Sequence, residues 1–125
     1  NAANLGIGQV SLDVDINEFM NVYNTNVGWN FMMAREAAKM MKEKHKGQIV
    51  FITSNSALRV TENRCAYCSS KSAILAMSKS FAVDLGKYGI RSFDLGGSVA
   101  RWLVGKAPSS TEVRTIPVNA RRLVG

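Results

Sequence analysis

Histidine and cysteine are nearly absent, with one His and two Cys in 125 residues. That is too few for a four-ligand zinc site, so no bound metal is expected. No apolar run approaches the roughly 20 residues of a membrane span. No signal-peptide pattern opens the chain either, so a cytoplasmic setting without a membrane partner is expected, with both cysteines reduced. Acidic residues are scarce, 9 against 16 Lys and Arg, for a formal charge of +7 and a pI of about 9.8. Such an excess raises the question of a polyanion partner. The cations are dispersed, however. Lys42, Lys44 and Lys46 follow a helix end, where they suit the dipole, and Arg114, Arg121 and Arg122 lie in a separate tail. No zinc-finger, homeodomain or RNA-binding pattern accompanies them, so nucleic acid is not the expected partner.

What is present reads as part of one small globular domain, 46% hydrophobic and 20% charged. Asp15-Ile-Asn-Glu18 has the spacing of a capping box. A helical pattern follows from Ile16 to about Lys44, with Gly47 as its expected stop. Phe19, Val22, Tyr23, Asn26, Val27, Phe31, Ala34, Ala38 and Met41 recur at helical steps, and Met20, Met32, Met33 and Met40 widen the apolar arc. Ordinary core is the first account of that width. Residues 9–14 read as a mobile connector, and Gly6-Ile-Gly8 as a loop, since no strand precedes it. Gln48-Ile-Val-Phe-Ile-Thr-Ser54 is a short β-branched, apolar run that reads as a buried parallel strand. A polar loop, Asn55 to Arg64, leads to a second helix from about Arg64 to Gly86. Its apolar stripe is Ala73, Ile74, Met77, Phe81 and Leu85, with small residues at Ala66, Ser69 and Ser70 that permit close approach. Lys87-Tyr-Gly89 turns the chain into a further strand at Ile90, which then carries Asp94, a costly residue to bury without a partner.

The chemistry centres on Tyr67 and Lys71. In a helix their spacing places both side chains on one face, one turn apart. A free tyrosine titrates near pH ~10, and an ammonium within a few ångströms favours the phenolate. Such a tyrosine serves as a proton donor to an alkoxide or an acceptor from an alcohol. By itself the pair reads first as a solvated helix face. Ser54 lies at the carboxyl end of the predicted strand, where open α/β sheets bind ligands. Ser56, two residues on, faces the same region or is a plain loop serine. Asn26 is a polar residue in apolar company and needs hydrogen-bond partners. Cys65-Ala-Tyr-Cys68 is a CxxC, but ten loop residues separate it from the strand, so helix packing explains it better than redox chemistry.

Taken together, these segments resemble the short-chain dehydrogenase/reductase family of NAD(P)-dependent oxidoreductases. Thr25 to Met41 resembles the family's central helix with its Asn, and Gly47 to Ser54 the strand carrying its Ser. Tyr67-x-x-x-Lys71 falls at the family's spacing from that Ser. Asn1-Ala-Ala-Asn4 partly resembles the Asn-Asn-Ala-Gly segment that supports the cofactor ribose, with Ala2 and Asn4 as departures. The resemblance loosens from Ser92 to Trp102, where a Gly pair replaces Pro-Gly and no Thr follows, and is faint from Ile116 to Gly125.

The resemblance implies an α/β fold, a Rossmann-like doubly wound parallel sheet. Residues 1–125 supply a part of it: long helix, strand, helix, strand. The N-terminal βαβ units and the last helix and strand are expected to lie outside the sequence. It implies Asn26, Ser54, Tyr67 and Lys71 as catalytic residues. Asn1, Ala2, Ala3, Tyr67, Lys71 and Val99 are implied contacts to NAD or NADP, and Ser54, Ser56 and Tyr67 contacts to a small carbonyl or alcohol substrate. In this reading Ser54 orients the carbonyl, Tyr67 is the acid or base, Lys71 holds the nicotinamide ribose, and Asn26 holds a water of the proton relay. A homodimer or homotetramer through the two long helices is also implied. The alternative from another class is a non-catalytic helical interaction or nucleic-acid-binding module.

Overall fold

Asp15 opens the first helix, as its spacing predicts. The computed structural model describes residues 3–96 and, beyond them, the backbone of two strands, Val99–Leu103 and Thr115–Pro117. The expectations for Asn1, Ala2, the Val99 side chain and the tail after Pro117 lie outside the described residues. Helix α1 spans Ile16–Tyr23. Asp15 Oδ1 accepts from the N–H groups of Asn17 (2.9 Å) and Glu18 (3.3 Å), which satisfies two of the helix's orphan donors. Glu18 departs from the capping box. Its Oε1 accepts instead from Ile7 N–H at 3.2 Å, tying down the segment before the helix. The connector expected to be mobile is likewise anchored, since Gln9 N–H donates to Asn63 O at 3.1 Å.

The long helix predicted from Ile16 to Lys44 is continuous in direction but not in winding. A π-helical turn, Asn24–Gly28, separates α1 from α2 (Trp29–Glu43). Trp29 N–H reaches back five residues to Asn24 O. Asn24-Thr-Asn-Val-Gly28 holds weak helix formers, which makes a widened turn cheap. Asn26 lies within this turn and is 1% exposed, and such bulges are frequent at functional sites.

Helix α2 ends at Glu43, and its left-handed stop is His45, two residues before the expected Gly47. His45 takes the left-handed conformation at φ 48°. Its N–H donates to Lys42 O (3.1 Å) and Lys46 N–H to Met41 O (3.3 Å), the two bonds of a Schellman motif. A non-glycine residue is strained there by about 1–2 kcal/mol, partly offset by glycine's larger loss of chain entropy. His45→Gly is therefore expected to raise stability by about 0.5–1 kcal/mol, read as a higher urea midpoint at unchanged slope. Gly47 instead begins strand β1 (Gly47–Ile52).

Helix α3 (Cys65–Leu85) leads through a short 3-10 turn and Gly89, at φ +69°, into strand β2 (Ile90–Gly96). β1 and β2 pair in parallel with Gly47 opposite Ile90 and Ile52 opposite Leu95. Beyond these expected elements, β3 (Val99–Leu103) and β4 (Thr115–Pro117) extend the sheet antiparallel, in the order β1-β2-β3-β4. Ala34 and Ala38 of α2, Ile74 of α3, Ile49 and Phe51 of β1, and Ile90 of β2 form the core. Phe81 stands edge-on to both Phe31 and Phe51, joining the two helices to the strand.

Two expectations need correction. β1 is not buried on both faces: Ile49 and Phe51 are buried while Gln48 and Val50 alternate outward, because α2 and α3 cover only one face. Four methionines of the long helix are not core either, while Met41 packs against it. Met20, Met32, Met33 and Met40 are exposed, Met33 by 71%, because one sheet face cannot cover so wide an apolar arc. Asp94 is buried and, as a buried carboxylate requires, has a partner.

Candidate active site

Tyr67 sits in the first turn of α3, and Lys71 follows on the same face. The Lys71 ammonium is 5.8 Å from the centroid of the Tyr67 ring. Lys71 is 5% exposed, and its Nζ donates to Ile52 O at 3.1 Å. Burial pushes the lysine pKa below its ordinary 10.5, because a desolvated ammonium loses hydration. The bond to Ile52 anchors the cation at the carboxyl end of β1.

Ser54 lies two residues past that carbonyl, in extended backbone (φ −157°, ψ 158°). Thr53 N–H donates to Leu95 O at 2.7 Å, so the parallel ladder runs on almost to Ser54. Ser54 Oγ accepts from Ser56 N–H at 3.1 Å and starts a 3-10 turn, Asn55–Ala57. Ser56 thus contributes its backbone N–H to orienting Ser54. Gly96, at the end of β2, approaches the same backbone. A methyl group built on it would overlap Thr53 Oγ1 and stand 3.3 Å from Ser54 N and 3.4 Å from Ser54 O.

Asn26 is reached from the opposite side. Its Oδ1 accepts from Asn4 N–H at 2.7 Å, and its Nδ2 donates to Asn4 O (2.8 Å) and Ser70 Oγ (2.9 Å). Ser70 Oγ in turn donates to Tyr67 O at 2.8 Å. The Asn26 carbonyl accepts from Asn30 Nδ2 at 2.7 Å. Asn26 therefore braces Asn4 against α3. Asn4 takes part through its backbone, so the departure from Gly at this position leaves the contact intact. Ala3, next to it, is exposed.

The fold thus brings Tyr67, Lys71 and the Ile52–Ser54 segment to one end of the parallel pair and links Asn26 to Tyr67 through Ser70. Ser70 and Asn4 were the residues that sequence reasoning passed over. The available signal was Asn26 itself, whose buried amide demanded partners. Cys65 and Cys68 are free thiols, the first exposed and the second buried 4.0 Å from Thr61 Oγ1. A cavity of about 660 Å³ lies elsewhere, between α2 and β1, lined by Trp29, Met33, Ala37, Val50 and Phe51. Among the described residues no His, Cys, Asp or Glu cluster suits a metal ion, and no helix is long and apolar enough to cross a membrane.

The sequence model described as short chain dehydrogenase matches residues 1–95. Zerumbone synthase of Zingiber zerumbet is 38% identical over 79 residues, 63% of this chain and 30% of that protein. A 3-oxoacyl-acyl-carrier-protein reductase of Rickettsia bellii is 33% identical over 89 residues, 70% of this chain and 37% of its own length. The chain therefore spans about a third of the curated relatives it matches. Among solved structures, an NAD+-bound xylitol dehydrogenase superposes with a TM-score of 0.75 at 29% identity, over 77% of this chain and 37% of that one. A 4-hydroxyisoleucine dehydrogenase complexed with NADH gives 0.71 at 33% identity, over 76% and 42%.

Proposed function

The chain belongs to the short chain dehydrogenase family, and from that premise we propose that it carries the proton-transfer half of an NAD- or NADP-dependent carbonyl/alcohol oxidoreductase. One observation carries the reading: a buried lysine cation fixed 5.8 Å from the Tyr67 ring and bonded to Ile52 O at the carboxyl end of a parallel strand. Two relatives are described as bound to NAD+ or NADH, which supports the same cofactor class here. The residues present fit the nicotinamide-ribose end of such a cofactor. An ammonium has three donors, of which Ile52 takes one. Gly96 lets the end of β2 lie close against Thr53 and Ser54, where a side chain would overlap Thr53 Oγ1. When bound, the nicotinamide supplies or accepts the hydride.

The chain's own residues do the rest. Tyr67 protonates the nascent alkoxide in reduction and takes the proton in oxidation. Ser54, its hydroxyl proton free because Oγ accepts from Ser56 N–H, donates to the substrate oxygen and holds it for Tyr67. Lys71 would bind the ribose hydroxyls and holds its positive charge beside the Tyr67 ring. Asn1, Ala2, Ala3 and Val99 are assigned to the cofactor side, and Ser56 to the substrate side. Asn26 belongs to the proton path as a residue that holds its geometry. A homodimer or homotetramer through α2 and α3 would cover Phe31, Met32 and Met33, all exposed.

The test is a substrate screen of the full-length gene product with NADH and NADPH, followed by Ser54→Ala. Loss of one such donor is expected to lower kcat by about 10²–10³-fold, with cofactor binding retained. Unchanged turnover in Ser54→Ala would remove Ser54 from the site.

A further inference from the structure

Ser70 is 0% exposed, and its hydroxyl is hydrogen-bonded both to Asn26 and to the turn that carries Tyr67. The polarity of this link is dictated from one end. Asn4 presents a backbone N–H, which only donates, and a carbonyl, which only accepts. Together they force the Asn26 amide into a single orientation, Oδ1 toward the N–H and Nδ2 toward the carbonyl. The second Nδ2 hydrogen then needs an acceptor, and Ser70 Oγ is that acceptor at 2.9 Å. Its own hydrogen is left for Tyr67 O, at 2.8 Å.

This matters because Tyr67 stands near the start of α3. Arg64 at the N-cap makes no side-chain capping bond, and an uncapped helix start frays. We infer that Ser70 is a positioning residue for Tyr67, tethering the first turn of α3 through Asn26 to the Asn4 backbone. The inference rests on the role of Tyr67 proposed above and adds a residue to it.

Two measurements on Ser70→Ala in the full-length protein test it. Amide hydrogen exchange at Cys68, whose N–H donates to Arg64 O, is expected to quicken at least about tenfold, with the middle of α3 unchanged. At saturating cofactor and a temperature well below unfolding, kcat is expected to fall about 10- to 100-fold, because small misplacements of a reacting group are costly, while the cofactor KM stays within about twofold. Ser70→Cys, which keeps the shape and weakens both bonds, replaces Ser70→Ala if the latter does not fold, and is expected to fall between it and wild type. Exchange that rises uniformly along α3, or exchange and kcat that both stay at wild-type values, would overturn the tether. Tyr67→Phe serves as the control. Full activity in that variant would remove the catalytic reading, while faster first-turn exchange in Ser70→Ala would still establish the tether.

Discussion

Tyr67→Phe in the full-length protein is expected to abolish nearly all turnover, by at least about 10³-fold in kcat, toward the upper range for a lost acid–base group. The substitution removes one hydroxyl and keeps the ring. The Tyr67 backbone carbonyl still accepts from Ser70 Oγ, since that bond does not involve the side chain. The fold and the cofactor affinity should therefore be retained, the latter within about threefold as judged by fluorescence titration, because ring contacts survive. A loss of kcat with affinity preserved marks a group needed only at the transition state. Retained turnover would mean that the alkoxide finds its proton elsewhere.

Lys71→Met is expected to act on binding and chemistry together. Methionine matches the length of the buried stem but removes the charge and the bond to Ile52 O. Both the ribose contact and the positive charge beside the Tyr67 ring go, so kcat/KM should fall by about 10²–10³-fold, with a raised cofactor KM. The pH dependence has a definite sign. Burial lowers the Lys71 pKa from 10.5, so the amine becomes neutral at a lower pH than a free lysine would. Below that lowered pKa the ammonium is present and the site works; above it the charge is lost. Alcohol oxidation by wild type should therefore fall on the alkaline side with a midpoint below 10.5. Lys71→Met should show no such fall in its residual rate. An alkaline limb that survives unchanged in Lys71→Met would have to be assigned to another group.

The legible parts of this molecule were the local ones. Asp15 at a helix start, the strand ending before Ser54, and the four-residue step from Tyr67 to Lys71 all follow from spacing within one element. The π turn at Asn24–Gly28 was not legible, because the flanking apolar periodicity reads through one extra residue. His45 hid behind Gly47, a better left-handed residue two positions later that the chain uses for a strand start instead. Ser70 and Asn4 join Asn26 across 44 and 22 residues of sequence. Pairings at that range depend on how α3 lies against the π turn, which no local pattern encodes. The exposed face of β1 and the outward methionines were missed for a related reason. Apolar composition tells that a surface is to be covered, but not which element covers it.

The most direct test of a Ser54–Tyr67–Lys71 oxidoreductase site is isotope transfer. The full-length protein would be incubated with cofactor deuterated at nicotinamide C4 and a panel of ketones, and the products read by mass spectrometry. Deuterium on the new carbinol carbon with wild type, and almost none with Tyr67→Phe in the same time, is the expected result. Equal label transfer by the two proteins would contradict it.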